Sequence, residues 1–408
     1  MEPKSRKYIV VLGVVLLLLV LLIFFIVLRS TKSDDAENTN GWFSGLLPDT
    51  GGEGPKPLNN GGGVASPPPA GPNIRLPILD RERALLVQLT NDPVTGAAVK
   101  YKDDKVVYFK RGLGNIFEIP FDGSQPEERI FHFTIPGIVG VDWSYKRNYA
   151  LVTALGEDSL RHIWINVTST STLDSGFLPT NTRGASFSPT EDRLAIVLEE
   201  GTGSAIAVSD PKGRGVRRLA SLPVFGLMPR WVSKNTIELQ TKPSALSTTF
   251  LATVNAQTGA VTVLLSDIIG LDTMWNKDAS KFLSLETKND GRQLVFGMRS
   301  VAKPEEVKYN GSTLTLPEKC VFSTKDASSA YCAVPKEWAP ATMPDAWWQG
   351  KTGFSDELWL VNFENESVLR LLSGGGFDMT NLFLSEDERY LFFTDKNDST
   401  LWSFNLKD

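Results

Sequence analysis

The feature that most constrains this chain is a step that recurs about every 44 residues. An aromatic residue is followed by a polar one and then by a second apolar run: "VDWSYKRNYALV" from 141, "ASFSPTEDRLAIV" from 185, "PRWVSKNTIELQ" from 229, "TMWNKDASKFLSL" from 273, "CVFSTKDASSAYCAV" from 320 and "NLFLSEDERYLFF" from 381. A weaker copy, "AAVKYKDDKVVYF", starts at 97. Successive polar markers, Tyr101, Ser144, Ser188, Ser233, Asn276, Ser323 and Ser385, stand 43, 44, 45, 43, 47 and 62 residues apart. Third apolar runs follow, such as "NIFEIPF", "HIWINV" and "ELWLVNF", and fourth runs such as "VRRLASL" and "AVTVLLS". Short strands at this period, with Gly, Asp and Asn turns and no sustained helical period, predict an all-β fold: a seven-bladed β-propeller of four-stranded antiparallel blades.

The seventh unit has no fourth run before Asp408, while an unassigned strand, "RALLVQLT" at 83–90, precedes the first unit. If that strand completes the last blade, the ring closes and leaves no terminal edge unpaired. The predicted domain therefore spans 81–408.

Two segments, "FSPTEDRLAIVLEEGTGSAIAVSDPKGRGVRRLAS" and "NIFEIPFDGSQPEERIF", resemble the repeats of TolB-type and related WD-repeat-like propellers. The resemblance covers roughly 84–408 and implies architecture. It carries no single function, because this fold hosts binding, scaffolding and enzymatic sites alike. TolB-type rings have six blades, whereas seven units are read here.

Ahead of the ring, residues 8–28 form an uncharged run of 21 residues, about 30 Å long as a helix and long enough to span a bilayer. The run is too long for the core of a cleavable signal peptide. Lys4, Arg6 and Lys7 outnumber Arg29 and Lys32 across it, which places the short N-terminus, residues 1–7, in the cytoplasm and the rest outside it. Residues 29–80, rich in Gly, Pro and Asn, read as a flexible linker with one apolar island, "GWFSGLLP" at 41–48. The expected localisation is the cell membrane, single-pass, with the propeller extracytoplasmic.

The chemistry is sparse. Net charge is −5, from 42 basic and 47 acidic residues, which argues against a nucleic-acid partner. His132 and His162 with Cys320 and Cys332 are the only histidines and cysteines and do not cluster in sequence, so neither a metal site nor a cofactor is expected. The cysteines flank a predicted hairpin turn and either form a cross-strand disulfide, which the extracytoplasmic address favours, or remain buried thiols. The aromatic markers Trp143, Phe187, Trp231, Trp275, Phe322 and Phe383 share one phase of their units and read as inter-blade core. Asp142, Asp272 and Asp378 precede or open first strands and either line the central opening or cap turns.

The 62-residue interval comes from an insertion at 336–356 in unit six, carrying Trp338, Trp347 and Trp348. It is either a lid or a binding loop. By strand parity it shares a face with the loops that lead into first strands, which carry Ile138, Phe225, Leu227, Ile269 and Phe377. The candidate binding residues are therefore Trp347, Trp348, Phe225, Leu227, Ile269 and Phe377. The first functional expectation is a non-catalytic module that holds a protein or cell-wall partner on this face. The alternatives are a hydrolase or lyase of envelope glycans with carboxylates in the central funnel, and a structural subunit of a membrane complex.

Overall fold

The computed structural model describes residues 78–406 apart from 157–158, 170–171 and 309–312. The spanning helix expected over 8–28, and residues 29–77 of the linker expected over 29–80, lie outside the described residues. Among the described residues no helix is long and apolar enough to cross a membrane.

The described strands form seven four-stranded antiparallel sheets. Their first strands are Val94–Val99, Ile138–Trp143, Thr182–Phe187, Leu227–Ser233, Asp272–Trp275, Cys320–Phe322 and Met379–Leu384, and these surround the central channel. Blades one to six run in chain order. The seventh is completed by the N-terminal strand Leu86–Gln88, paired antiparallel with the third strand through Leu86↔Phe404, Val87↔Ser403 and Gln88↔Trp402. The pairing continues as Leu89 N donates to Leu401 O (2.8 Å) and Leu401 N to Thr90 Oγ1 (3.0 Å). Early and late segments thus share one blade, and the ring has no frayed end.

The repeat has a local cause. Each polar marker sits where the first strand turns into the second, and in Ser144, Ser188, Asn276, Ser323 and Ser385 the side chain accepts backbone N–H groups that the tight turn would leave unpaired. Ser144 Oγ accepts from Tyr149 N (3.1 Å), Asn276 Oδ1 from Ser280 N and Lys281 N (3.0 and 3.1 Å), and Ser385 Oγ from Arg389 N and Tyr390 N (both 3.0 Å). The aromatic residue just before it points between blades. Trp143, Phe187, Trp231, Trp275 and Phe322 are buried, each worth about 1.5–3 kcal/mol or more of apolar burial. Phe383 is half-buried and stacks on Phe392.

Side chains on the first strands also tie blades one to five together. Trp143 Nε1 donates to Gly96 O (2.6 Å), Asp142 Oδ2 accepts from Phe187 N (2.7 Å), Ser186 Oγ accepts from Trp231 N (3.1 Å), and Arg230 donates to Thr273 O (2.8 Å). Glu388, in the turn of blade seven, accepts from Ser323, Thr324 and Lys325 of blade six. Asp142 is accordingly a structural acceptor in the ring.

Candidate active site

Every contact of the insertion runs to the face predicted by strand parity. The Asp345 carboxylate accepts from Ser244 Oγ (2.9 Å) and Ala245 N (2.7 Å), in the loop between the second and third strands of blade four. Met343 N donates to Gly291 O (3.2 Å) in the same loop of blade five. Trp347 Nε1 donates to Asp378 (2.9 Å), just ahead of the first strand of blade seven, and Lys396, in that blade's loop between second and third strands, donates to Trp347 O. The approach over blade five depends on a glycine. Gly291 has φ +75°, and a Cβ there would stand 2.7 Å from Ala245 Cβ and 3.0 Å from Met343 O.

This geometry makes the insertion a lid over blades four to seven, and it separates the six residues expected to meet a partner. Trp347, Leu227 and Phe377 are buried in the core, so they are closed off from any partner. Their apolar character serves packing: Phe377 lies edge-on to Phe393 and Trp402, and Trp347 stacks on Phe354. Trp348 is half-buried and donates through Nε1 to Glu318. Phe225 and Ile269 remain open, at 54% and 44% exposure.

Beneath the lid is a buried ion cluster. Lys319 has no exposed surface, and its Nζ lies 2.8 Å from Asp356 Oδ2, 2.7 Å from Asp378 Oδ1 and 2.8 Å from Met379 O. It also sits 4.9 Å from the centre of the Trp347 ring and 5.2 Å from that of Phe354. Asp378 accepts in addition from Phe354 N (3.1 Å). A buried ammonium survives only when so surrounded. Burial drives the Asp356 carboxyl up to about 7 even against the Lys319 charge.

Next to it, at the channel, stands a second group that solvent can reach. Arg230, from the first strand of blade four, bonds through Nε to Glu238 Oε2 (2.5 Å) and through its other arm to Thr273, whose hydroxyl donates to Glu238. Asp272 opens the first strand of blade five. Glu318 lies in the one-turn helix Pro317–Lys319 that leads into blade six. Asp272, Glu318, Arg230 and Lys396 are all half-exposed. A channel admits water molecules without supplying bulk dielectric, so burial still dominates the carboxylates' titration.

Asp272 is pushed up to about 7, first by burial and then by the charge of Glu318, with Arg230 opposing. Glu318 is also raised by burial, against the Trp348 donor and the Lys319 and Lys396 charges. Burial lowers Lys396 to about 8, and its Nζ lies 3.8 Å from the centre of the Trp347 ring. A carboxyl raised to about 7, Asp272, beside a second carboxyl that burial also raises, Glu318, is the equipment of acid–base catalysis.

Of the acids read from the sequence, Asp272 and Asp378 come to this face and Asp142 goes to the ring. Glu318, Lys319, Arg230, Glu238 and Lys396 were not singled out. One signal was present: Glu238, only 1% exposed, is a charge in the middle of the apolar second strand "TIELQT". His162 is half-buried against Thr153 Oγ1 (3.1 Å) and lowered by burial, while His132 is exposed. Cys320 and Cys332 pair directly across adjacent strands and form the disulfide of the structure.

No family model matches the chain, and no curated protein matches it. Solved structures do. An oligogalacturonate lyase in complex with manganese superposes with TM-score 0.53 at 12% identity, over 79% of this chain and 93% of that one. A second oligogalacturonate lyase, from Vibrio parahaemolyticus, gives 0.53 at 11%, over 79% and 94%. The Cps50 (Swd1) β-propeller domain of Myceliophteria thermophila gives 0.50 at 11%, over 79% and 100%. TolB is also among the matching propellers. At these identities the likeness is one of fold, and the resemblance read from the repeats holds at that level.

These findings correct the expectation of a non-catalytic module. That expectation rested on the lack of a contiguous catalytic motif. The two lyases are enzymes with a similar fold, and here the ring gathers titratable groups from separate blades. Among the described residues no three His, Cys, Asp or Glu side chains stand together as metal ligands, and Asp356 and Asp378 are committed to Lys319.

Proposed function

We propose that this propeller is a glycan-cleaving enzyme, a lyase acting on uronate-containing saccharides at the lid side of its central channel. The observation that carries this reading is the placing of Asp272 and Glu318 side by side from separate blades near Arg230 and Lys396, with Asp272 raised to about 7 and Glu318 raised by burial. Charge counting leaves the group near neutral, so it admits an anionic substrate. Arg230 is balanced by Glu238, and Lys319 by its two aspartates, one of them readily protonated. With one proton shared by the pair, Lys396 offsets the remaining carboxylate, so a sugar carboxylate meets no net negative field.

In this chemistry N–H donors of Lys396 and the outward side of Arg230 bind the sugar carboxylate, which makes the adjacent C–H more acidic. The ionised member of the pair takes that proton, the C–H electrons form a C=C bond, and the neighbouring C–O bond breaks. The protonated member delivers its proton to the departing oxygen, and exchange with water resets the pair. The likeness to oligogalacturonate lyases supports the reading at the level of fold. Hydrolysis is the second reading, favoured by the paired carboxylates themselves.

Localisation at a membrane through residues 8–28, with the ring outside the cytoplasm and envelope glycans as the substrate pool, belongs to the same proposal. Incubation with galacturonate oligomers separates the readings. Elimination yields new reducing ends together with the ultraviolet absorbance of an unsaturated sugar, hydrolysis yields reducing ends alone, and neither product overturns the enzyme reading.

A further inference from the structure

Between the lid and the third strand of blade five, away from the channel group, lies a cleft of about 520 Å³, the size that takes a small organic ligand. Trp338, Leu294, Leu314 and Met343 line it, and Arg292 also faces it. The walls are already set. Trp338 packs edge-on against Phe354 (5.0 Å between ring centres), Phe354 stacks on Trp347, and Met343 N is bonded to Gly291 O. Trp338 nonetheless keeps part of its surface open, and Arg292 is exposed. A preformed cleft with an indole wall and an exposed guanidinium suits a ring that has an apolar face and a carboxylate, because arginine grips carboxylates through two parallel N–H bonds.

We propose that this cleft is a second saccharide site, which takes one carboxylated sugar ring with its apolar face on Trp338 and its carboxylate on Arg292. The choice of ligand rests on the glycan reading above; the site itself rests on the cleft. Such a site would hold a neighbouring unit of a substrate chain, or a separate oligomer, outside the channel.

The test is titration of the full chain carrying Asp272→Asn with trigalacturonate, followed by tryptophan fluorescence and calorimetry. The fluorescence change lost in Trp338→Phe is the signal of the cleft. That signal should saturate, weaken about tenfold or more in Arg292→Glu, and be at least as weak with the neutral galactose trimer. Because Arg292 is exposed, its variant should melt like the parent. Absence of the signal, equal affinity for the neutral trimer, or full affinity in Arg292→Glu overturns the proposal. Wild-type turnover is scored separately: saccharide bound through Arg292 and Trp338 by a chain that cleaves nothing would retain the cleft and remove the lyase.

Discussion

Lys319→Met removes the ammonium at the centre of the lid's anchorage while keeping most of the side chain's apolar volume. Three contacts of 2.7–2.8 Å disappear, to Asp356, Asp378 and Met379 O, and two buried carboxylates lose their counter-charge. Breaking a buried pair from one side costs about 3–5 kcal/mol, which in a ring of this size lowers Tm by roughly 4–7 °C. The pH dependence fixes the cause. Asp356 is raised from its ordinary 3.8 to about 7 in the folded chain, so the folded state holds a proton that the unfolded state releases. Its favourable contribution is complete below about pH 4 and drains as pH rises toward 7. Without Lys319 the folded-state value climbs further, and the drain continues above neutrality. Scanning calorimetry at about pH 5 and about pH 8 should therefore show the larger deficit at the higher pH. A variant that melts with the wild type at both values, or one whose deficit is larger in acid, would refute the assignment of Lys319 as the charge that holds Asp356 and Asp378 in the core.

Leu89→Pro deletes the N–H that bonds Leu401 O at 2.8 Å; because this strand closes the ring, melting should move as one transition to lower temperature, and a loss confined to blade seven would count against closure. Replacing Cys320 and Cys332 together by Ala opens a cross-link of sequence separation 12 and should cost about 3 kcal/mol by loop entropy, read from urea unfolding curves. Gly291→Val places a branched side chain where even a Cβ lies 2.7 Å from Ala245 Cβ. It should make 336–356 sensitive to protease while the ring melts nearly unchanged, whereas continued protection would mean that the lid docks without this approach.

The architecture was legible because each repeat marks a physical necessity. A polar residue must cap the turn after the first strand, as Ser144, Asn276 and Ser385 do, and an aromatic residue must fill the wedge between blades. The face of the insertion followed from parity, since an even-stranded meander leaves no choice. The acid–base group was not legible in the same way. Lys319 is 37 residues from Asp356 and 59 from Asp378, and only the folding of blade six and its packing against blade seven bring them together. Asp272 and Glu318 meet because the short helix before blade six leans against the first strand of blade five. Apolar lead-in loops suggested a partner surface, yet Leu227 and Phe377 turned inward, because hydrophobicity in a loop is as readily met by the core beneath it as by a partner above it.

The central claim is that Asp272 and Glu318 exchange protons with a saccharide. The most direct measurement is kcat/KM against pH on a galacturonate oligomer, followed by absorbance of the unsaturated product, for the wild type, Asp272→Asn and Glu318→Gln. The account predicts a wild-type limb near pH 7, set by Asp272, and a loss of about a hundredfold or more in Asp272→Asn at unchanged Tm. In Glu318→Gln the limb of the residual activity should move to lower pH, because the charge that helps to raise Asp272 is gone. Wild-type turnover that persists in folded Asp272→Asn, or a limb that stays in place when Glu318 is neutralised, would contradict it.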